Sequence, residues 1–444
     1  MTTPPPTPSV DQALLRKVIV AAGLGNFVEW FDFAVYGFLA TTLATLFFPT
    51  SDPIVGLLST FAVFAVAFAL RPLGGLVFGV LGDRVGRRRI LSLTILLMAG
   101  ATTAMGLLPT HATAGVFATV GLCLARSVQG FSAGGEYAGA CAYVLEHCPA
   151  DRRGRYSSFL PVSTFVAFGS AAVIAYIVTA TTSDAQMAAW GWRVPFLVAA
   201  PIGLFGFVIR WRLTETPLFR VLEADGAVAG APLRETFAAH WPTMLRLGGF
   251  ISATALSFYI FTTYMSTYLE TVVGVGPATA LASSVVALAV AAALAPVLGK
   301  LSDRVGRKKS MYFACGALAV LVLPAFWLAG GGSLAGMVAG QAMLAVGAVM
   351  ANVVTAILLT ELFPTRVRYT ASAVTYNVAY TVFGGTAPFA ATWLIDLTGN
   401  PYAPAVYLLA VAIGAWGCAA LLPETVNRPL LEDTPPSERA PSPA

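Results

Sequence analysis

Asn26, Glu29, Asp32, Arg71, Arg126, Gln129 and Glu136 are strongly polar residues set inside long apolar runs. Their types limit what they can do together. A guanidinium beside a carboxylate forms an ion pair, which orders a helix bundle but is weak evidence of stabilisation when buried. The same pair can also do chemistry: if an incoming carboxylate claims the arginine, the released acid takes up a proton. Asn26, Glu29 and Asp32 recur at i, i+3 and i+6, so a helix places all three on one face. Ser132, Gly134 and Gly135 precede Glu136; such small residues let backbones approach and leave room for a solute, which favours chemistry over simple ordering. The expected division is Glu29, Asp32 and Glu136 as proton-coupling acids, and Asn26, Arg71, Arg126 and Gln129 as substrate ligands. The later part of the chain offers an uncharged partner wall of Tyr264, Tyr376, Asn377 and Tyr380, with Tyr376 and Tyr380 one turn apart. Tyr259 and Tyr268 read instead as interfacial anchors or core packing.

What must position these groups is a set of membrane helices. The 444-residue chain is 57% hydrophobic and only 11% charged, against roughly 25% charged in a soluble domain. Apolar runs of about 20 residues recur, each long enough to cross a ~30 Å hydrocarbon layer as a helix. The runs are continuous, not alternating, which excludes a barrel. Twelve spans are expected near 18–46, 54–81, 90–109, 114–145, 157–181, 194–212, 243–269, 279–299, 311–330, 334–359, 371–394 and 402–422. Apart from Arg71, Arg126 and Arg193, the arginines and lysines then fall on one side. The positive-inside rule makes that side the cytoplasm, with both termini there. The net charge of +5 is therefore topology, and no nucleic acid is expected as a partner. An ionised group in mid-bilayer costs roughly 2.5 kcal/mol or more. The first six spans carry several; the last six carry none away from their ends.

The chain repeats itself. GDRVGRRR (Gly82 to Arg89) follows the second span, and SDRVGRKK (Ser302 to Lys309) follows the eighth. Glu146, Pro149 and Arg153 recur as Glu361, Pro364 and Arg368 with the same internal spacing. Parallel repeats of this kind build two pseudo-symmetric six-helix bundles. The expected division is a disordered cytoplasmic tail over 1–17, bundles over 18–213 and 243–423, a cytoplasmic link over 214–242 and a cytoplasmic tail over 424–444. Asp83, Arg84, Gly86, Arg87 and Arg88, with Asp303, Arg304, Gly306 and Arg307, read as a twin gating motif. The glycine permits a sharp turn, and the aspartate can meet a helix N-terminus or a cation in one state and release it in the other. The opening MTTPPPTPSV lacks the basic region and cleavage site of a signal peptide. The five cysteines and three histidines share no ligand-like spacing, so neither metal nor cofactor is expected. No nucleophile–base pair or phosphate loop suggests an enzyme.

GNFVEWFDF (Gly25 to Phe33), RPLGG (Arg71 to Gly75), QGFSAGGEY (Gln129 to Tyr137) and WGWRVPF (Trp190 to Phe196) together resemble the metabolite:H+ symporter family of the major facilitator superfamily. The resemblance covers nearly all of the chain. It implies an all-α integral membrane protein of twelve transmembrane helices, with the major facilitator fold. It also implies proton-driven uptake by alternating access across a bacterial inner membrane, with Asn26, Glu29, Asp32, Arg71, Arg126 and Glu136 at functional family positions. The expected cargo is a small carboxylate-bearing molecule, either an organic acid of the 2-oxoglutarate or citrate type or a zwitterion of the proline or betaine type. FTTYMSTYL (Phe261 to Leu269) and FGGTAPF (Phe383 to Phe389) suit the organic-acid carriers. RKVIVAAGLGN (Arg16 to Asn26) and PETVNRPL (Pro423 to Leu430) are similar to the proline/betaine branch. A monomer is expected. A drug exporter would carry Gly-Pro-Gly-Gly in span five, which is missing from Pro161 to Val178. A sugar carrier is disfavoured by the acids of span one, and a transport-dead sensor would differ only in flux.

Overall fold

The computed structural model describes residues 12–85, 87–134, 136–212, 232–428 and 430. They form helices at the places the apolar runs require. These are α1 (Gln12–Phe38), α2 (Pro53–Val85), α3 (Arg87–Leu107), α4 (Val116–Ser132, resumed as Glu136–Glu146), α5 (Phe159–Thr181) and α6 (Arg193–Arg212). There follow α7 (Pro232–Tyr259, continuing to Val273), α8 (Pro277–Val305), α9 (Arg307–Gly330), α10 (Leu334–Glu361), α11 (Thr365–Ala379, continuing to Thr398) and α12 (Ala403–Ala420). Eleven of the apolar helices are long enough to cross a bilayer, and the apolar part of α3, Ser92–Leu107, is shorter. The fold is the twelve-helix all-α arrangement that the sequence implies. Helix α7 begins inside the stretch expected as the link 214–242, because its Leu, Glu and Ala residues favour helix over coil.

Packing repeats along the chain as the sequence does. Helix α2 packs on α4 as α8 packs on α10, α1 on α5 as α7 on α11, and α3 on α6 as α9 on α12. The crossing of α2 and α4 is the tightest feature near the polar residues. A methyl group on Gly74, Gly130 or Gly134 would fall into the backbone of the opposing helix, at Phe131, Ala67 and Arg71 respectively. Small residues let two helix backbones touch where lipid supplies no hydrophobic drive between helices. That contact fixes Arg71 on α2 relative to Arg126 on α4.

The end of the bundle bearing the D-R-x-G-R link, called here the basic end, is closed by polar bonds. Asp303, at the end of α8, accepts the N–H groups of Gly154 (2.7 Å) and Arg155 (2.8 Å), which precede α5. Arg307 donates to Asp303 at 3.0 Å and to Glu361 at 3.3 Å. Arg153 pairs with Glu361 at 3.4 Å, and Arg368 with Glu146 at 2.8 Å. Gly306 takes φ +96°, a turn that suits glycine, while Arg304 is exposed. Of the first motif copy, Gly86 and the side chains of Asp83, Arg84, Arg87 and Arg88 lie outside the described residues. Beyond α12, Glu424 accepts the first N–H groups of α9, from Arg307 (2.9 Å) and Lys308 (3.0 Å). Partial burial pushes Glu424 up, but the N–H donors of Val426, Arg307, Lys308 and Thr425 hold it below the usual carboxylate range. At the opposite end, Trp190 is half exposed, whereas Trp192 is fully buried against Phe47 and Phe196 and so is core. Arg193 donates to Gly106 O (2.8 Å) and Leu108 O (2.6 Å), closing the last turn of α3.

Candidate functional site

Helix α1 brings the polar stripe to the centre, but its members do different jobs. Asn26 ties α1 to α5: its amide donates to Leu160 O (3.2 Å), Ser163 Oγ (2.8 Å) and Thr164 Oγ1 (2.8 Å). Its carbonyl accepts the Trp30 indole N–H at 2.9 Å. Both ends of the amide are therefore occupied within the protein, and Asn26 orients Trp30. One turn on, Glu29 forms an ion pair with Arg71. Asp32 faces Arg126 and Thr102, yet neither of its oxygens has a hydrogen-bond partner among the described residues. Glu29, Asp32 and Arg126 are 0% exposed and Arg71 is 1% exposed, so the cluster is sealed at both ends.

The two arginines sit in aromatic surroundings. The Arg71 guanidinium lies 4.9 Å from the Phe33 ring, 5.1 Å from Phe68 and 5.5 Å from Trp30. Arg126 lies 4.2 Å from Tyr36 and 5.1 Å from both Phe33 and Phe64. Arg126 also donates to Gln129 Oε1, and Gln129 Nε2 donates to Thr102 Oγ1 at 2.7 Å. Gln129 thus positions the arginine. Arg71 Nε and Nη1 and Arg126 Nε and Nη2 have no partner among the described residues. A buried unsatisfied polar group costs about 1–3 kcal/mol, and more when charged. A ligand with carboxylate lone pairs would relieve that cost.

The last six helices close the site with rings. Tyr376 stacks on Tyr380 at 4.0 Å and on Tyr137 of α4 at 4.7 Å. Tyr380 donates to Asn352 Oδ1 at 3.3 Å. Tyr259, which the sequence reads as an anchor or core packing, lies beside Trp30, Phe64, Phe68 and Tyr380. Its hydroxyl and that of Tyr376 are buried without partners among the described residues. Asn377 is turned to the other half of the molecule, donating to Gly134 O at 2.6 Å. Tyr264 is not brought to the charges; it packs with Phe61 and Tyr268. Glu136 is buried in the first turn where α4 resumes. Trp30, Phe33, Phe64 and Phe68 escape a reading for polar residues. The available signal is that Trp30 and Phe33 follow Asn26 and Glu29 at i+4.

Four ionisable groups meet here, two acids and two bases. A carboxylate placed on Arg126 competes with Asp32 for that cation, and the displaced acid is the group that a proton would neutralise.

Comparison with known proteins places this geometry in a family. The profile of the Major Facilitator Superfamily matches residues 22–388. The chain is 38% identical over 435 residues to the glycine betaine/proline/ectoine/pipecolic acid transporter OusA of Dickeya dadantii, covering 96% of this chain and 87% of that protein. The proline/betaine transporter of Escherichia coli strain K12 matches at the same identity and coverage. The ectoine/proline transporter ProP of Corynebacterium glutamicum is 37% identical over 438 residues, covering 96% and 87%. Among solved structures, the proton:xylose symporter XylE bound to 6-bromo-6-deoxy-D-glucose aligns with TM-score 0.75 at 17% identity, covering 94% of this chain and 98% of that chain. At that identity the likeness concerns fold alone.

Proposed function

The chain belongs to the major facilitator superfamily, and from that premise we propose that it is a proton-coupled symporter importing a small zwitterionic carboxylate of the proline or betaine type. It is a multi-pass membrane transporter and not an enzyme. The carrying observation is Arg126, buried with donors that have no partner among the described residues, beside an Asp32 whose oxygens likewise accept no hydrogen bond from them. In this reading the cargo carboxylate binds Arg126, and Arg71 where Glu29 yields it. Asp32 then takes the coupling proton, with Glu29 and Glu136 as supporting acids. Gln129 and Asn26 hold Arg126 and Trp30 in place. The cargo's cationic end lies against Trp30, Tyr137, Tyr259, Tyr376 and Tyr380, where cation–π attraction is worth roughly 0.5–2 kcal/mol. The uncharged aromatic wall suits the cationic end of a zwitterion. The names of the relatives favour the same choice over an organic acid.

The bundles over 18–213 and 243–423 rock about this site in an inner membrane of a bacterial cell. The basic end and both termini face the cytoplasm, and Asp303, Gly306 and Arg307 break and remake the inner closure. Uptake of radiolabelled glycine betaine and proline into proteoliposomes, with and without an inward proton gradient, tests the proposal. Gradient-driven accumulation of either supports it. Uptake of neither, or accumulation indifferent to the gradient, contradicts it.

A further inference from the structure

RPLGG brings Arg71 to the site, but the proline that follows has a consequence of its own. Pro72 lies inside α2 and has no N–H to give to Phe68 O, the carbonyl one turn before it. At mid-depth in a membrane protein, a backbone carbonyl without a donor is costly. The donor comes from the other half of the molecule: Thr381 Oγ1, on α11, donates to Phe68 O at 2.8 Å. Thr381 sits in Tyr380–Gly385, where α11 widens into an i→i+5 turn. The same turn fits closely on its neighbours. A methyl on Gly385 would press on Phe68, and one on Gly384 would press on the Tyr259 ring. One turn before Thr381, Asn377 donates to Gly134 O at 2.6 Å, and Gly134 in turn lies against Arg71 O. Helix α11 thus grips the α2–α4 crossing, which carries both arginines, by two backbone carbonyls.

We infer that Thr381 is a positioning residue for closure: it supplies the donor that Pro72 takes from Phe68 O, so that the two halves can shut on a centre without water. When the halves part at this depth, water in the opened cavity can take the bond at little cost. When they meet, that water is expelled, and the Thr381 hydroxyl replaces it. A hydroxyl suits the task because, once the halves separate, it can turn back to a carbonyl of its own helix. The proline therefore makes α2 depend on α11 for one backbone bond in the shut state. Phe68 also belongs to the aromatic surroundings of Arg71, with its ring 5.1 Å from the guanidinium. Seating α11 on Phe68 fixes that wall as the centre closes. The basic end is held by charge, through Asp303, Arg307 and Glu361; Thr381 acts midway and through a neutral bond. The inference rests on the rocking halves of the proposed function, and on neither the choice of cargo nor the proton.

The test is the distance between spin labels at Ser51→Cys and Ala335→Cys, exposed in the two halves at the end opposite the basic one. It is measured by pulsed electron resonance on the full chain in lipid nanodiscs without cargo, and the chain lacking both cysteine substitutions provides the background. Thr381→Val leaves the basic-end ion pairs intact, so the loosening should appear at the labelled end. The ratio of long to short distances should rise about five-fold or more, the lower end of what an unsatisfied buried carbonyl costs. Thr381→Ser keeps the donor and should keep the parent ratio. In Pro72→Ala, α2 regains the N–H that Phe68 O lacks, and adding Thr381→Val to that background should change the ratio by less than about two-fold. An unchanged ratio in Thr381→Val, an equal rise in Thr381→Ser, or the full rise in the Pro72→Ala background overturns the inference. Should Pro72→Ala fail to fold, Thr381→Ser against Thr381→Val decides. Because no cargo is used, a chain that carries neither glycine betaine nor proline would contradict the symporter reading and leave this measurement in force.

Discussion

The first six helices and the last six share one packing scheme, yet they bury opposite chemistry at the same depth. The amino-terminal half places Glu29, Asp32, Arg71 and Arg126 at the centre, all at 0–1% exposure. The carboxy-terminal half places Tyr259, Tyr376, Tyr380 and Asn352 there and keeps its ion pairs for the basic end, around Asp303, Arg307 and Glu361. A duplicated scaffold can hold a titrating cluster in one copy because the other supplies a neutral wall that excludes water. Charges in both copies would compete for the same cargo group and the same proton. On the proposed mechanism one half changes its charge and the other stays constant.

The widest test of that contrast is Asp32→Asn. If the proton is carried in the first half, accumulation of cargo against its gradient should fall to unity while exchange of internal for external cargo persists. A fall in both would make Asp32 structural. Next comes Arg126→Lys, which keeps the charge but loses the planar fork. KM for cargo should rise about ten-fold or more, since a hydrogen bond to a charged group is worth about 1.5–3 kcal/mol; an unchanged KM would remove Arg126 from the binding site. Gly130→Ala should lower stability by about 1–3 kcal/mol through overpacking of the α2–α4 crossing, seen as a lower melting temperature in detergent. A neutral result would mean the crossing does not set the spacing of the arginines. The smallest effect belongs to the constant half. Tyr259→Phe removes a hydroxyl that no described residue partners. It should shift KM by about three-fold, the lower end of a neutral hydrogen bond, and leave proton dependence unchanged. Altered proton dependence would show that the wall takes part in coupling.

Much of this was legible in the sequence because a bilayer penalises charge so heavily. Glu29, Asp32, Arg71 and Arg126 stood out as ionisable groups in apolar runs, and the structure brings them together. The doubled D-R-x-G-R link likewise announced a repeat, which the packing of α2 on α4 and α8 on α10 follows. The aromatic lining was not legible. Trp30, Phe33, Phe64 and Phe68 sit in helices whose apolar residues run round every face, where period alone does not separate a ring facing the polar cluster from one facing lipid. Tyr264 was expected at the site as part of an uncharged wall with Tyr376, Asn377 and Tyr380. Between Tyr259 and Tyr264 the helix widens over Ile260–Tyr264 into an i→i+5 turn, and Tyr264, a turn further along the axis, packs with Phe61 and Tyr268. Asn26 and Asn377 were recognisable as buried amides, but whether an amide binds cargo or ties two helices together depends on what lies opposite, at α5 and at Gly134.

The exchange of Asp32 for cargo on Arg126 is tested most directly by following protons and glycine betaine together in proteoliposomes without an imposed gradient. On addition of glycine betaine, the unsubstituted protein should acidify the vesicle interior in step with uptake, and Asp32→Asn should admit cargo with no proton. Cargo entry by the unsubstituted protein without any proton movement would contradict the account.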